Sequence, residues 1–240
     1  TIGIEPRHAG RVLYLAAEDP APVLHARLHT LGAVLSPQQR EALAERLIVM
    51  PLLGRVGDLL DEGQTATQLI EHARDCRLLV LDTLSRWHTG DENARADAAR
   101  VMRTLERVCD ETGATALFLH HTNKSAVLEG NGALQQASRG SSVFVDDARF
   151  VMTMTTCGEQ EARDYGIEDE MRGYFVKLTY AKCNYVAPQP ARWFRKRDGG
   201  RLEPVDMFRI RPQPAPAVPS RVAAVAAALG AEIIDDPDSL

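Results

Sequence analysis

The chain has few aromatic residues and few cysteines, and it has no long apolar run. Phe, Trp and Tyr make up 5% of its 240 residues, so Leu, Val, Ile and Ala must form most of the core. The four cysteines are scattered, which argues against a zinc site or a disulfide frame and predicts reduced thiols in a cytoplasmic protein. No apolar run approaches membrane-spanning length, so we expect no membrane segment and no signal peptide.

A phosphate-binding loop is also missing from the printed sequence. The pattern Gly-x-x-x-x-Gly-Lys-Ser/Thr does not occur, and there is no Gly-Lys dipeptide at all. Without that glycine-rich loop and its lysine, the β- and γ-phosphates of a nucleotide lose their main binding element.

The net charge of −5 excludes a surface that is basic all over. It leaves room for nucleic acid held by a few Lys and Arg side chains in a channel. An apolar content of 45% is enough for a sizeable core, in one large domain or two small ones.

Apolar segments of strand length alternate with helical patterns along the first half of the chain. Strands are predicted at 11–15, 47–50, 77–82 and 114–121, with helices at 20–31, after Ser36-Pro37, at 65–75 and at 94–112. A short helix near 137–146 and strands at 148–156, 174–182 and 192–197 follow, with a hairpin turn at Asp198-Gly199-Gly200.

This order predicts an α/β fold: a doubly wound, mostly parallel sheet with helices on both faces and an antiparallel, β-rich C-terminal edge. We assign residues 1–210 to this core. Residues 211–240 are interpreted as a proline-rich linker and a flexible or weakly helical tail.

Two acids follow two of the buried strands. Asp82 ends the apolar run that begins at Arg77, and with Thr83 it looks like a Walker B motif, in which the carboxylate holds a nucleotide-bound Mg²⁺. Glu18 lies just beyond strand 11–15 and is a candidate for polarising the attacking water. The alternative is that Glu18 and Asp19 only cap the helix that begins at Pro20.

Two histidines, His120 and His121, end the next strand. A polar group there is suited to sense the γ-phosphate and to signal to the following loop. Because alternation turns only one of the two toward a given face, we favour His121, which is closer to the loop. A structural histidine is the alternative.

The loop 122–136 is polar and contains glycine, which is typical of a mobile arm. Lys124, Asn131, Gln135 and Gln136 in this loop are candidates for contacts to a phosphodiester backbone, unless the loop is merely solvated. The loop 85–93, with Trp87 either stacking or packing, is a second and weaker candidate arm.

Three cations follow the polar loop: Arg139, Arg149 and Lys182. Arg149 precedes a strand and Lys182 ends one, so each is expected at a sheet edge. If the protein forms a ring, such a cation can reach a neighbour's nucleotide as an arginine finger. Surface salt bridging is the alternative.

Six segments occur in an order that resembles a known family. They are Ala-Glu-Asp-Pro, Leu-Val-Leu-Asp-Thr-Leu, Phe-Leu-His-His, Gln-Gln-Ala-Ser-Arg-Gly-Ser-Ser, Lys-x-Asn-Tyr and Arg-Trp-Phe-Arg. Over roughly residues 10–205 the chain resembles the RepA-type replicative helicases of broad-host-range plasmids, which are hexameric RecA-like ATPases. In that family a Walker A segment precedes the first strand seen here, so the chain is expected to be a piece that begins just after it.

The resemblance implies ATP and Mg²⁺ as cofactors, single-stranded DNA as partner and a homohexamer as the assembly. It implies that Glu18 is the catalytic glutamate, Asp82 the metal-binding aspartate and His121 the phosphate sensor. Arg149 would be the arginine finger, with Lys182 as a second interfacial cation and Thr83 beside Asp82 at the nucleotide. The implied DNA contacts lie on the polar loop and just after it, at Lys124, Asn131, Gln135, Gln136 and Arg139.

Three functions remain open from the sequence. The first is an ATP-driven helicase core that translocates on single-stranded DNA. The second is a RecA-like ATPase with a recombination or loading role. The third is a non-hydrolysing module that binds DNA or assembles into rings, which the missing phosphate loop favours.

Overall fold

The computed structural model describes residues 8–61, 63–91, 94–121, 142–185, 187 and 189–210. The strands in these ranges are β1 (Arg11–Ala16), β2 (Leu47–Pro51), β3 (Cys76–Asp82), β4 (Thr115–Phe118), β5 (Phe150–Thr156), β6 (Phe175–Cys183), β7 (Arg192–Lys196) and β8 (Leu202–Val205). The α-helices are α1 (Ala21–Gly32), α2 (Pro37–Arg46), α3 (Gln64–Ala73), α4 (Arg95–Thr112), α5 (Val143–Asp147) and α6 (Glu159–Tyr165). Short 3₁₀ turns lie at Leu84–Arg86, Asp169–Tyr174 and Asp198–Gly200.

The helix boundaries follow from local chemistry that is visible in the sequence. Ser36 caps α2, because its hydroxyl accepts a hydrogen bond from the Gln39 amide and the Gln39 side chain accepts one from the Ser36 amide. Helix α4 ends at Gly113, whose φ of +69° is a left-handed conformation that favours glycine. Both boundaries were predicted.

The first four strands form a parallel sheet in the order β2-β1-β3-β4. In its register Tyr14 pairs with Val80, and Ala16 at the end of β1 pairs with Asp82 at the end of β3. Helices connect the successive strands, as parallel pairing requires. The predicted α/β fold is confirmed.

Alternation along the strands gives the parallel sheet two different faces. On one face Leu13, Leu79 and Leu81 are 0–1% exposed and belong to a core formed with α3, α4 and α5. On the other face Leu47 and Val49 of β2 line an apolar groove with residues of α1 and α2. On this second face Val80 of β3 is buried, whereas Val12 and Tyr14 of β1 are only partly buried, so the two faces of the central strands are covered unequally.

The last four strands form an antiparallel sheet in the order β5-β6-β7-β8. Trp193 of β7 is buried with Cys157 and Ala162 of the α6 region in a second, smaller core. The antiparallel, β-rich C-terminal part is thus confirmed, and among the described residues its strands pair with each other rather than with β4.

One strand is less buried than its sequence indicates. The segment 114–121 was predicted to be a buried strand, but β4 covers only Thr115–Phe118, and Leu117 and Leu119 are 41% and 42% exposed. The reason is position: β4 lies at the edge of the parallel sheet as described, so nothing in that part of the chain covers its outer side.

The tail 211–240 and the first half of the predicted helix 137–146 lie outside the described residues, and the division at residue 210 stays a prediction. In the described ranges, none of the helices has both the length and the apolar character needed to span a membrane.

Candidate active site at the carboxyl edge of the parallel sheet

The two predicted acids lie at the same edge of the sheet because their strands are neighbours. The amide of Ala17 donates a 2.6 Å hydrogen bond to the carbonyl of Asp82, which continues the β1–β3 pairing one residue past β1. Glu18 follows immediately. In an open α/β sheet, this carboxyl edge is where ligands bind.

The Asp82 carboxylate is held by a tyrosine. The hydroxyl of Tyr14 donates a hydrogen bond to Oδ2 of Asp82 from the adjacent strand. Burial raises the pKa of Tyr14 well above its ordinary value, and the hydrogen bond to Asp82 and the charge of that carboxylate raise it further. The phenol therefore remains a donor at neutral pH.

Glu18 has two cationic or potentially cationic side chains beside it. Its Oε1 lies 3.6 Å from Nε2 of His121 and 3.8 Å from Nε of Arg86. His121 follows β4, and Arg86 belongs to the 3₁₀ turn after β3, so three different segments meet here. The three side chains are 36%, 60% and 59% exposed, for Glu18, His121 and Arg86 respectively. The pairs are open to solvent and therefore weak, which allows them to rearrange around a ligand.

Thr83 and Leu119 join the ends of β3 and β4. The buried Thr83 hydroxyl donates a 2.9 Å hydrogen bond to the Leu119 carbonyl, which also accepts a 2.8 Å bond from the Leu84 amide. The hydroxyl of Thr83, predicted to be at the nucleotide, thus connects two strand ends. This connection fixes His121 relative to Asp82.

The two histidines point to different surroundings. The ring of His120 lies 5.3 Å from that of Phe144 in α5, centroid to centroid, whereas His121 lies beside Glu18. The structure therefore places at the acidic edge His121, the histidine that was favoured because it is closer to the loop. Its role as a sensor stays a prediction.

Asp82 is the residue that is best placed to hold a metal ion. Among the described residues, no group of three or more His, Cys, Asp or Glu side chains is arranged to hold one. A Mg²⁺ at Asp82 would therefore take most of its ligands from water and from a nucleotide, which is how this ion is usually bound beside phosphates. The acids at the strand ends suit a Mg²⁺ ion bound to nucleotide phosphates. The 240 residues contain no Gly-Lys phosphate loop that would bind the phosphates themselves.

The two predicted interfacial cations lie elsewhere in the fold. Nζ of Lys182 donates to the carbonyls of Val145 and Asp146 in α5, at 3.2 Å and 2.5 Å. Arg149 is exposed between α5 and β5. Neither cation is among the side chains paired with Glu18, and their roles at a neighbouring subunit stay predictions.

The predicted DNA-binding residues Lys124, Asn131, Gln135, Gln136 and Arg139 lie outside the described residues. In the second candidate arm, 85–93, the sequence left open whether Trp87 stacks on a base or packs in the core. Trp87 is 3% exposed and belongs to the main core, because the 3₁₀ turn after β3 directs it inward and its carbonyl accepts a 2.7 Å bond from the Leu59 amide. Trp87 packs and is not available to stack on a base.

Two residues of this edge were missed or misassigned from the sequence. Tyr14 reads as an ordinary strand residue, and only the pairing of β1 with β3 brings it to Asp82. Arg86 was grouped with the DNA arm, but the turn at Leu84–Arg86 brings it to Glu18. An arginine four residues after the aspartate that ends a strand, in Asp82-Thr83-Leu84-Ser85-Arg86, was the available signal.

The chain is similar to known proteins both in sequence and in structure. A family model described as AAA domain matches residues 2–127, which is more than half of the sequence and contains β1 to β4. Among solved structures, the one titled "Crystal structure of the RadB recombinase" is similar over 82% of this chain and 80% of that chain, at 14% sequence identity and a TM-score of 0.46.

Proposed function

The chain belongs to the AAA domain family, and from this we propose that it forms the core of an ATP-driven helicase that moves along single-stranded DNA. ATP with Mg²⁺ is the general cofactor pair of this family. The helicase assignment goes further than family membership and is supported by the six sequence segments described above.

The observation that carries the proposal is the meeting of Glu18, His121 and Asp82 at one sheet edge. Asp82 ends β3 with its carboxylate already oriented by Tyr14, which suits it to hold Mg²⁺. Glu18 is on the neighbouring strand end and exposed to solvent, which suits it to accept a proton from water. Hydrolysis of a phosphoanhydride needs both functions.

His121 is suited to couple this edge to the DNA loop. It lies 3.6 Å from Glu18 and immediately precedes residues 122–136, the segment proposed to contact DNA. A change in the pairing of His121 with Glu18 would move the start of that segment. The proposal therefore gives the histidine a positioning role, with Glu18 and Asp82 acting on the nucleotide.

We also propose that the active form is a homohexameric ring. Arg149 is exposed, so it is free to approach a neighbouring subunit without disrupting the core. Lys182 contributes to the position of Arg149 indirectly, since its hydrogen bonds to the α5 carbonyls fix the helix that precedes Arg149.

The absence of a Gly-Lys phosphate loop favours a second candidate, a module that binds DNA or assembles into rings without hydrolysis. A RecA-like ATPase with a recombination or loading role is the related alternative. Assays of DNA unwinding and of strand pairing separate the two: a helicase unwinds a duplex, whereas a recombinase pairs strands.

DNA-stimulated ATP hydrolysis is the decisive measurement. It should be made on this chain and on a form extended through the natural reading frame upstream of Thr1, each with and without single-stranded DNA. Hydrolysis by the extended form, accelerated by DNA and lost in Asp82→Ala, is the expected result. If neither form hydrolyses ATP, the non-hydrolysing module takes the place of the helicase.

A further inference from the structure

A groove of about 710 Å³ lies between the C-terminal end of α1 and the hairpin formed by β7 and β8. This volume falls within the range of about 300–1,000 Å³ that is typical of ligand sites. Thr30 of α1 and Val34, just beyond the end of α1, form one wall, and the residues around the Asp198–Gly200 turn form the other. Neither Glu18 nor Asp82 lines it.

The groove is basic although the chain as a whole is acidic. Arg195, Lys196, Arg197 and Arg201 line it, against the two acids Asp198 and Glu203. Arg197 forms a 2.5 Å ion pair with Glu203, so those two charges cancel. Among the described residues, no carboxylate lies in ion-pair range of Arg195, Lys196 or Arg201.

The electrostatic effect of these cations is visible at Glu203. The hydrogen bond from Arg197 lowers the pKa of this carboxyl, and the charges of Arg197, Arg201 and Arg195 lower it further. A single carboxylate thus sits in the field of three guanidinium groups. The excess positive charge remains available to an anion from outside.

The groove also has an aromatic side chain and a fixed frame. Tyr174 is 52% exposed and lies on the groove wall. Arg195 is oriented by the Phe175 ring, with its guanidinium carbon 5.8 Å from the ring centroid. The hairpin turn is pressed against α1, since a Cβ at Gly199 would lie 2.7 Å from Oγ1 of Thr30.

We propose that this groove binds single-stranded nucleic acid, with Lys196 and Arg201 on the phosphates and Tyr174 stacking on a base. Cations that follow a backbone, together with an exposed aromatic face, are the elements of sequence-tolerant single-strand binding. An isolated phosphate would not use Tyr174, and a folded acidic protein would not need a stacking partner.

The groove is separate from the candidate active site. Thr30 lies nine residues along α1 from Ala21, so a rise of 1.5 Å per residue places it roughly 14 Å from the helix start near Glu18. The proposal therefore does not depend on ATP hydrolysis. A nucleic acid strand bound here would be held at a second point, away from the loop 122–136.

The test is binding of a short fluorescein-labelled oligothymidylate to the full chain, followed by fluorescence anisotropy without nucleotide over a range of salt concentrations. In the double variant Lys196→Gln/Arg201→Gln we expect the dissociation constant to rise roughly tenfold or more at about 0.1 M salt. The slope of log affinity against log salt should fall by about 1.4, because each lost phosphate contact removes about 0.7 for a single strand. The matched control is Arg95→Gln/Arg103→Gln, two exposed arginines on α4, which should change neither quantity.

Tyr174 distinguishes nucleic acid from other polyanions. Tyr174→Ala should weaken binding by roughly fivefold or more, and Tyr174→Phe should restore it, because stacking needs the ring and not the hydroxyl. Unchanged affinity and salt slope in the double variant would overturn the proposal. So would displacement of the oligonucleotide by polyglutamate with no effect of Tyr174→Ala, which would assign the groove to an acidic polypeptide. Loss of ATP hydrolysis in the extended form would leave these binding results unaffected.

Discussion

Tyr14 donates its hydroxyl hydrogen to Oδ2 of Asp82 across two adjacent parallel strands. Tyr14 pairs with Val80, two residues before Asp82, so the tyrosine and the aspartate project from the same face of the sheet. One carboxylate oxygen is thereby fixed by the protein itself. This leaves Oδ1 as the oxygen with which Asp82 can approach a metal ion.

Tyr14→Phe should therefore weaken the fold. A hydrogen bond to a charged group contributes roughly 1.5–3 kcal/mol, and because the Tyr14–Asp82 bond is only partly buried we expect about 1 kcal/mol. The measurement is the free energy of unfolding in urea at neutral pH. Tyr185→Phe is the control, because Tyr185 is 81% exposed and should show no change. Equal stability of Tyr14→Phe and the unmutated chain would mean that the hydrogen bond contributes nothing.

The same tyrosine predicts a pH dependence of stability in the alkaline range. Burial and the bond to Asp82 raise the pKa of Tyr14 in the folded chain above its ordinary value of 10.0. The folded state therefore retains a proton that the unfolded state releases, so this contribution to stability is complete below pH 10 and is lost as the pH rises above 10. Urea unfolding at pH 8 and pH 11 should show a larger fall for the unmutated chain than for Tyr14→Phe. An equal fall in both would contradict the assignment.

Much of the fold and part of the site follow from sequence pattern. The alternation of apolar strands with helical segments specified the parallel sheet, and the position of Glu18 and Asp82 after two strands brought them to one edge. These inferences hold because strand ends in a parallel sheet share an edge whatever the details of packing. His121, favoured because it is closer to the following loop, is also the histidine that lies beside Glu18.

The remaining features depend on pairing between distant segments. The Tyr14–Asp82 bond requires the register of β1 against β3, which no local pattern contains. The burial of Trp87 depends on a 3₁₀ turn that reverses the chain after β3. The exposure of Leu117 depends on β4 being the edge of the described sheet, since its apolar sequence is that of a central strand.

Glu18→Gln should abolish catalysis while leaving stability almost unchanged. Removing the carboxylate that accepts the proton from water should slow ATP hydrolysis by the extended form by roughly a hundredfold or more. The exposed pairs with His121 and Arg86 contribute little to folding, so the unfolding free energy should change by less than about 0.5 kcal/mol. Asp19→Asn is the matched control, because Asp19 pairs with Arg27 of α1. If Asp19→Asn proved the inactive variant instead, the catalytic acid would have been assigned one residue too early.

Lys182→Met should destabilise the isolated chain by about 1 kcal/mol, measured by urea unfolding. The ammonium group donates hydrogen bonds to two carbonyls of α5. Removing it leaves both carbonyl oxygens without that donor. Lys196→Met provides the comparison, since that lysine is exposed and should cost less than about 0.5 kcal/mol. A Lys182 variant that keeps full stability but loses hydrolysis would show that its main role is at a neighbouring subunit.

Arg149→Ala separates a finger acting between subunits from a residue acting in its own subunit. The side chain is exposed, so its removal should leave the unfolding free energy within about 0.5 kcal/mol of the unmutated value. Hydrolysis by the extended form should fall by roughly a thousandfold, the scale reported for loss of such a finger. In mixtures with unmutated subunits, activity should fall faster than the fraction of variant, because each variant subunit impairs a neighbour's site. Arg103→Ala, at an exposed arginine of α4, is the control: mixing this variant with unmutated subunits should not lower the rate of hydrolysis. Activity that falls only in proportion to the variant, or not at all, would place the catalytic cation elsewhere.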